Sequence, residues 1–230
     1  VSALIAAATK DPNPVIRRQA LALLRSESPA TVAALVAATD DPDPQVVIEA
    51  TVKLARVGLD DDRAIPALAR ACLRADERSR EGIGMNLNLL KLDPPKVAPD
   101  ELQRRYGMLV AELRKVLDAP TAAGRGSALM VLCRLAGSYE RTGDAHLRDA
   151  AARAFEAVLS RLSDDPLRLP TLDQWPVLRI AVRDRHAAGA GPRDGLDLQA
   201  GWTRAMGGLL ASPDADVRNR ALATLRDGFE

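Results

Sequence analysis

Side-chain catalysis needs a nucleophile and a base, or several metal ligands, gathered into one small volume. The residues that could supply them are few in this chain. His146 and His186 stand forty residues apart. Neither has the i, i+4 partner that makes a helical zinc site, so each reads as a surface or helix-end imidazole. Cys72 and Cys133 sit inside the apolar stretches ALARACL and LMVLCRL, where a small soft side chain fills space. Two isolated thiols give neither a disulfide framework nor a zinc spacing, and they favour a reducing, cytoplasmic setting. The acidic runs Asp60-Asp61-Asp62 and Asp164-Asp165 have the oxygens for a cation. They fall before or between predicted helices, where carboxylates complement the positive helix end. The glycines of GIG (82–84) and AGAGPRDG (188–195) follow no predicted strand and carry no Lys-Ser/Thr pair. They read as close packing and as a connection, not as a phosphate loop. GRGS (124–127), at a helix start, could attract an anion through its amides and Arg125. No cofactor and no metal is expected.

Composition bounds what positions these residues. At 230 residues and 47% apolar content the chain can bury a sizeable core. Lys and Arg total 32 against 31 for Asp and Glu, so no overall charge draws the chain to nucleic acid or to an anionic membrane. Aromatics make up only 3% while Ala, Leu, Val and Arg recur, which favours thin, closely approaching helices over strands. No apolar run approaches the roughly twenty residues that cross a bilayer, and no leader opens the sequence. The chain reads as soluble and all-α. Its opening on Val1 fits either a processed protein or a piece of a longer one.

The helices are written as repeats. KDPNPVIRRQALALL (10–24) is echoed about thirty residues later by DDPDPQVVIEATVKL (40–54), and the apolar stretches SALIAAAT (2–9) and VAALVAAT (32–39) precede them. Asp-Pro breaks the first helix and opens the second, with Asp or Asn capping the free amides. Beyond the turn, Ile16, Ala20 and Leu24 match Val46, Ala50 and Leu54, and the four-residue spacing puts each trio on one face that must be buried. SPDADVRNRALATL (212–225) repeats the theme with Val217, Ala221 and Leu225. Weaker copies run over 64–90 around Asp76 and over 102–139 around Asp118-Ala-Pro120. A further pair joins 146–162 to a helix within 172–188, made irregular by Pro166, Pro170 and Pro176. About six helical hairpins result.

These residues resemble the short bacterial HEAT-like repeats, whose second helix begins Asp-Pro-x-x-x-Val-Arg-x-x-Ala-x-x-x-Leu. The resemblance is carried by Asp11, Pro12, Ile16, Arg17, Ala20 and Leu24; by Asp41, Pro42, Val46, Ala50 and Leu54; and by Pro213, Val217, Arg218, Ala221 and Leu225. It implies a right-handed α-solenoid of antiparallel helix pairs forming one domain over 1–230, either whole or part of a longer protein. It also implies a ladder of Asp and Arg between neighbouring units, which Val47, Gly82 and Ser212 interrupt. A lone hairpin cannot hide both apolar faces, and stacked neighbours can. HEAT-like folds include DNA glycosylases, but such an enzyme needs a basic groove and aromatic or carboxylate groups near an extruded base. Trp175 and Trp202 fall in separate units and read as packing. Nothing specifies the bilin pocket of a phycobilin lyase.

In the family the second helix of each pair lines the inner curve. Stepping off the buried positions gives an inner stripe of Arg18, Ala22 and Arg25 in the first unit and Asn219, Ala223 and Arg226 in the last. Between them it turns apolar: Ile48, Val52 and Ala55, then Ile83, Leu87 and Leu90, then Met130 and Cys133. Such a stripe is either covered by the irregular segments 164–176 and 188–199 or open as a groove for an amphipathic helix or apolar peptide. The expected function is a non-catalytic scaffold or adaptor that binds a protein or peptide. The candidate contacts are Ile48, Val52, Ile83, Leu87, Leu90 and Met130, framed by Arg18 and Arg25. An enzyme acting on nucleic acid and an architectural spacer are the alternatives.

Overall fold

Two residues decide where each hairpin turns. In the computed structural model, Asp11 and Asp41 fold the turn, their Oδ1 atoms accepting the amides of Asn13 and Asp43 at 2.8 and 2.9 Å. Asn13 and Asp43 then cap the following helices, the first accepting from Val15 N and the second from Gln45 N and Val46 N. Pro14 and Pro44 take the first helical position, where the missing N–H costs nothing. The cap thus falls two residues beyond the Asp-Pro break. The last copy repeats the device with different atoms, since Ser212 Oγ accepts from Asp214 N and Asp214 Oδ1 from Asp216 N.

The structure describes residues 1–25, 28–74, 90, 97–118, 122–142, 144–163 and 196–229. Among them every α or 3-10 element is helical: α1 (Ser2–Lys10), α2 (Pro14–Leu23), α3 (Pro29–Ala38), α4 (Pro44–Val57), α5 (Ala64–Arg74), α6 (Pro99–Leu117), α7 (Ala122–Thr142), α8 (Arg148–Ser160), α9 (Leu198–Leu209) and α10 (Ala215–Phe229). The helices expected around Gly82 and within 172–188 lie outside the described residues. By its contacts the chain divides into two compact units, residues 1–128 and 129–230.

In the first unit the helix pairs are layered in series. α1 packs on α2 and α3 on α4, while α1 meets α3, α2 meets α4, and α5 lies against both α3 and α4 before meeting α6. α3 is surrounded, and its Thr31, Val32, Ala34, Leu35 and Ala38 are buried. That explains a helix apolar on nearly every side. Thr39, just past its end, donates its hydroxyl to Val36 O at 2.8 Å. On α4 the repeated trio Val46, Ala50 and Leu54 is fully buried. On α2 the pattern holds only in part: Ala20 and Leu24 are buried, but Ile16 is 42% exposed. The reason is positional, since α4 has α2 on one side and α5 on the other, whereas α2 has α4 on one side only among the described elements.

The second unit holds α8 between two 3-10 turns, Ala145–Leu147 and Arg161–Ser163, and the pair α9–α10. α9 approaches α8 closely at Gly201, where a Cβ would stand 2.7 Å from Phe155 Cε1. Trp202, the next residue, is buried in the core. Val217 and Ala221 of the last repeat copy are buried, with Leu225 half-buried. Among the described residues no helix is long and apolar enough to cross a membrane.

Two substitutions test this arrangement by urea unfolding. Val46→Asp buries an unpaired carboxylate and is expected to cost about 3 kcal/mol or more. Ile16→Asp, at the corresponding but open position, stays within about 1 kcal/mol. In the second unit Gly201→Ala forces the Phe155 ring aside, and about 1–3 kcal/mol is lost.

Candidate functional site

Among the described residues, those with chemical potential are placed apart or used structurally. Cys72 and Cys133 are buried free thiols. Burial pushes Cys72 up to about 12 and raises Cys133 as well, so neither is a thiolate nucleophile at neutral pH. His146 lies in the 3-10 turn before α8, its amide donating to Asp144 Oδ1 at 2.9 Å, a helix-end histidine as read from sequence. Asp61 and Asp62 are taken up by Arg63 and Arg104, at 2.6 and 3.0 Å. The hydrogen bond from Arg63 holds Asp61 below the usual carboxylate range. Among the described residues no group of three or more His, Cys, Asp or Glu is placed to hold a metal ion. His186, Asp164, Asp165, Trp175 and the glycines at 82, 84 and 188–195 lie outside the described residues.

The strongest polar constellation braces the stack. Arg17 of α2 grips the Asp41 carboxylate through Nε and Nη2, both at 2.7 Å, and its Nη1 donates to the carbonyls of Asp11 and Pro12. One guanidinium therefore ties its own turn to the next repeat's turn. Burial by itself would raise Asp41, but the Arg17 hydrogen bonds and the Asp43 amide outweigh it and hold the carboxyl below its usual range. From the other side Arg74 of α5 donates to Asp41 O at 3.4 Å and lies 3.9 Å from Asp40. In the last copy Arg218 braces its turn alike, donating to Ser212 O and Pro213 O at 2.6 and 2.8 Å. Where the ladder would continue, Val47 is core at 4% exposure. Among the described residues only Arg17–Asp41 forms a rung between two such turns.

The open surface with recognition potential lies where α2 and α4 end. Ala22 and Leu24 expose carbonyls with no helical partner, and Lys53 of α4 reaches across to both, Nζ to oxygen 2.8 and 3.3 Å. Beside this crossing is a pocket of about 320 Å³ lined by Ala22, Leu24, Arg25, Thr31, Leu35, Lys53, Arg56 and Val57. Its floor is apolar, with Leu24, Leu35 and Val57 each at most 5% exposed. Its rim is cationic, with Arg25 and Arg56 exposed.

Of the residues read from sequence as contacts, Arg18 and Arg25 are exposed, the latter on the pocket wall, and Ile48 and Val52 are half-buried. Leu90 is 3% exposed, and Ala55 and Cys133 are fully buried, so at these places the expected apolar stripe is core. The cause is close packing by neighbours that a single-helix projection cannot include. Met130 is half-buried, next to the start of the second unit. Ile83 and Leu87 lie outside the described residues. Sequence reasoning missed Lys53 and Arg56, although their i, i+3 spacing put both on one face of α4.

The segment that carries these turns and the rung has a match among known families. Residues 1–88 match the family model for HEAT repeats. The match takes in α1 to α5, the Arg17–Asp41 rung and the α2–α4 pocket. Among solved structures the whole chain is similar to a designed armadillo repeat protein at 15% identity, with 99% of each chain covered and a TM-score of 0.43. It is also similar to an engineered protein at 16% identity, covering 98% of this chain and 96% of that one, with a TM-score of 0.43. A third likeness is a designed armadillo repeat protein in complex with peptide (KR)4, at 14% identity, with 99% and 98% covered and a TM-score of 0.45. No curated protein matches the chain.

The Arg17–Asp41 rung makes a pH-dependent prediction. An unfolded aspartate titrates near about 3.9 and Asp41 lower when folded. Its contribution is therefore complete above the unfolded value and lost as pH falls through the folded one. The stability gap between the wild type and Asp41→Asn, from urea unfolding, should be full at pH 7 and narrow below about pH 4. Arg17→Ala should lower the thermal midpoint at pH 7, and Arg18→Ala should leave it in place.

Proposed function

We propose that the chain is a non-catalytic protein-binding scaffold and that the α2–α4 side of its HEAT segment is the contact surface. One observation carries the reading: the α2–α4 pocket combines an apolar floor with cations that form no ion pair among the described residues. Other cations of the first unit are taken up by carboxylates, as at Arg17–Asp41, Arg63–Asp61 and Arg104–Glu101. Interfaces concentrate their energy in such places, where an apolar centre is ringed by polar groups and Arg is favoured. Arg18 and Arg25 flank the surface, with Ile48 and Val52 contributing half-buried apolar area. The binding mode is surface complementarity, in which the repeats act as a rigid frame.

Charge reversal tests the proposal. Arg18→Glu with Arg25→Glu should reduce co-purification of the chain's partners from its native cells by about tenfold or more, with an unchanged thermal midpoint. Arg153→Glu, an exposed change on α8, should have no such effect. An identical set of captured proteins for all three chains would refute the assigned surface.

A further inference from the structure

The chemistry of the pocket narrows what it receives. Three cations stand on its wall, Arg25, Lys53 and Arg56, and among the described residues no carboxylate lines it. Lys53 is committed to the carbonyls of Ala22 and Leu24, which fixes its ammonium at the rim. Arg25 and Arg56 form no hydrogen bond or ion pair among the described residues, so both planar forks can take a carboxylate side-on. Converging like charges repel one another, and an anion between them removes that cost. Beneath the rim, Leu24, Leu35 and Val57 form an apolar floor. At about 320 Å³ the space lies near the small end of ligand pockets, roughly 300–1,000 Å³. It suits a residue or two, not a helix.

A ligand must therefore bring an aliphatic group and an anion that diverge from nearly the same point. An inorganic anion leaves the floor empty. An internal Asp or Glu has only one or two methylenes beneath its charge and cannot fill the floor while reaching the rim. The last residue of a polypeptide does both, because its side chain and its free carboxylate leave the same Cα. We propose that the α2–α4 pocket binds the carboxyl terminus of a polypeptide ending in a branched aliphatic residue such as leucine. This rests on the scaffold reading above and names its ligand: the Leu side chain lies on Leu24, Leu35 and Val57, and the carboxylate is held by Arg25 and Arg56 beside the anchored Lys53.

The test uses the full chain and N-acetyl-leucine as the probe, followed by amide chemical shifts. Saturable shifts at Thr31, Leu35 and Val57 are expected. Affinity should fall about tenfold or more for N-acetyl-leucinamide, which lacks the charge, and likewise for N-acetylglycine, which lacks the side chain. Arg25→Gln and Arg56→Gln, both exposed, should weaken N-acetyl-leucine comparably while leaving the rest of the spectrum in place. Absence of saturable shifts at the three residues overturns the proposal. So does equal binding of the acid and its amide, or competition by inorganic phosphate at the acid's own concentration, which marks a simple anion site. A chain that keeps its Arg18- and Arg25-dependent partners but ignores N-acetyl-leucine loses this inference alone. A chain that binds N-acetyl-leucine but keeps its partners after charge reversal loses only the assigned contact surface.

Discussion

Short helices cannot stand alone in water. α1, α2 and α3 have nine or ten residues and α4 fourteen, and isolated helices of up to about 12–15 residues are marginal. The first unit therefore depends on burial between helices of successive pairs. α3 meets this constraint in full, covered by α1, α4 and α5. Each wholly buried Leu or Val, such as Leu54 and Val46, adds about 1.5–3 kcal/mol relative to exposure. That is enough to offset the ordering of a short helix only when several act together. Stability is thus a property of neighbours.

Polar groups then set the register of this packing. The Arg17 guanidinium satisfies two carbonyls of its own turn and the carboxylate of the next, so a shift between the pairs would strand both oxygens of the Asp41 carboxylate. Lys53 performs a related task at the other end, bridging from α4 to the final carbonyls of α2. The two links lie at opposite ends of α2, which leaves little freedom for α2 to slide against α4. A surface held in this way can present preset contacts without the ordering cost that a loose surface incurs on binding.

The same economy accounts for the modest chemistry of the described residues. The thiols are sealed in the core, and Asp61 and Asp62 are consumed by ion pairs. Glu101 is held at about 2 by hydrogen bonds from Arg104 and Arg105, and Arg105 also donates to Leu59 O at 2.6 Å, fastening α6 to the turn after α4. What remains open is the pocket at the α2–α4 crossing, with its apolar floor and cationic rim.

Much of the fold was legible in the letters because its rules are local. Proline cannot continue a helix, Asn and Asp cap one, and a four-residue apolar spacing marks one face, so the hairpins and the buried positions of α4 follow from neighbours in sequence. The HEAT resemblance rested on those same residues. Burial that depends on a second helix was not legible in this way. Ile16 and Val46 occupy equivalent places, yet one is open and the other sealed, since only α4 is flanked on both sides. Leu90 and Ala55 looked accessible on a single-helix projection and are core. The pocket was hidden for the same reason. Arg25 stood out as a charged position, but Lys53 and Arg56, on a different helix about thirty residues away, join it only after α4 packs on α2. Local chemistry determined the elements, and packing between them decided which faces remain exposed.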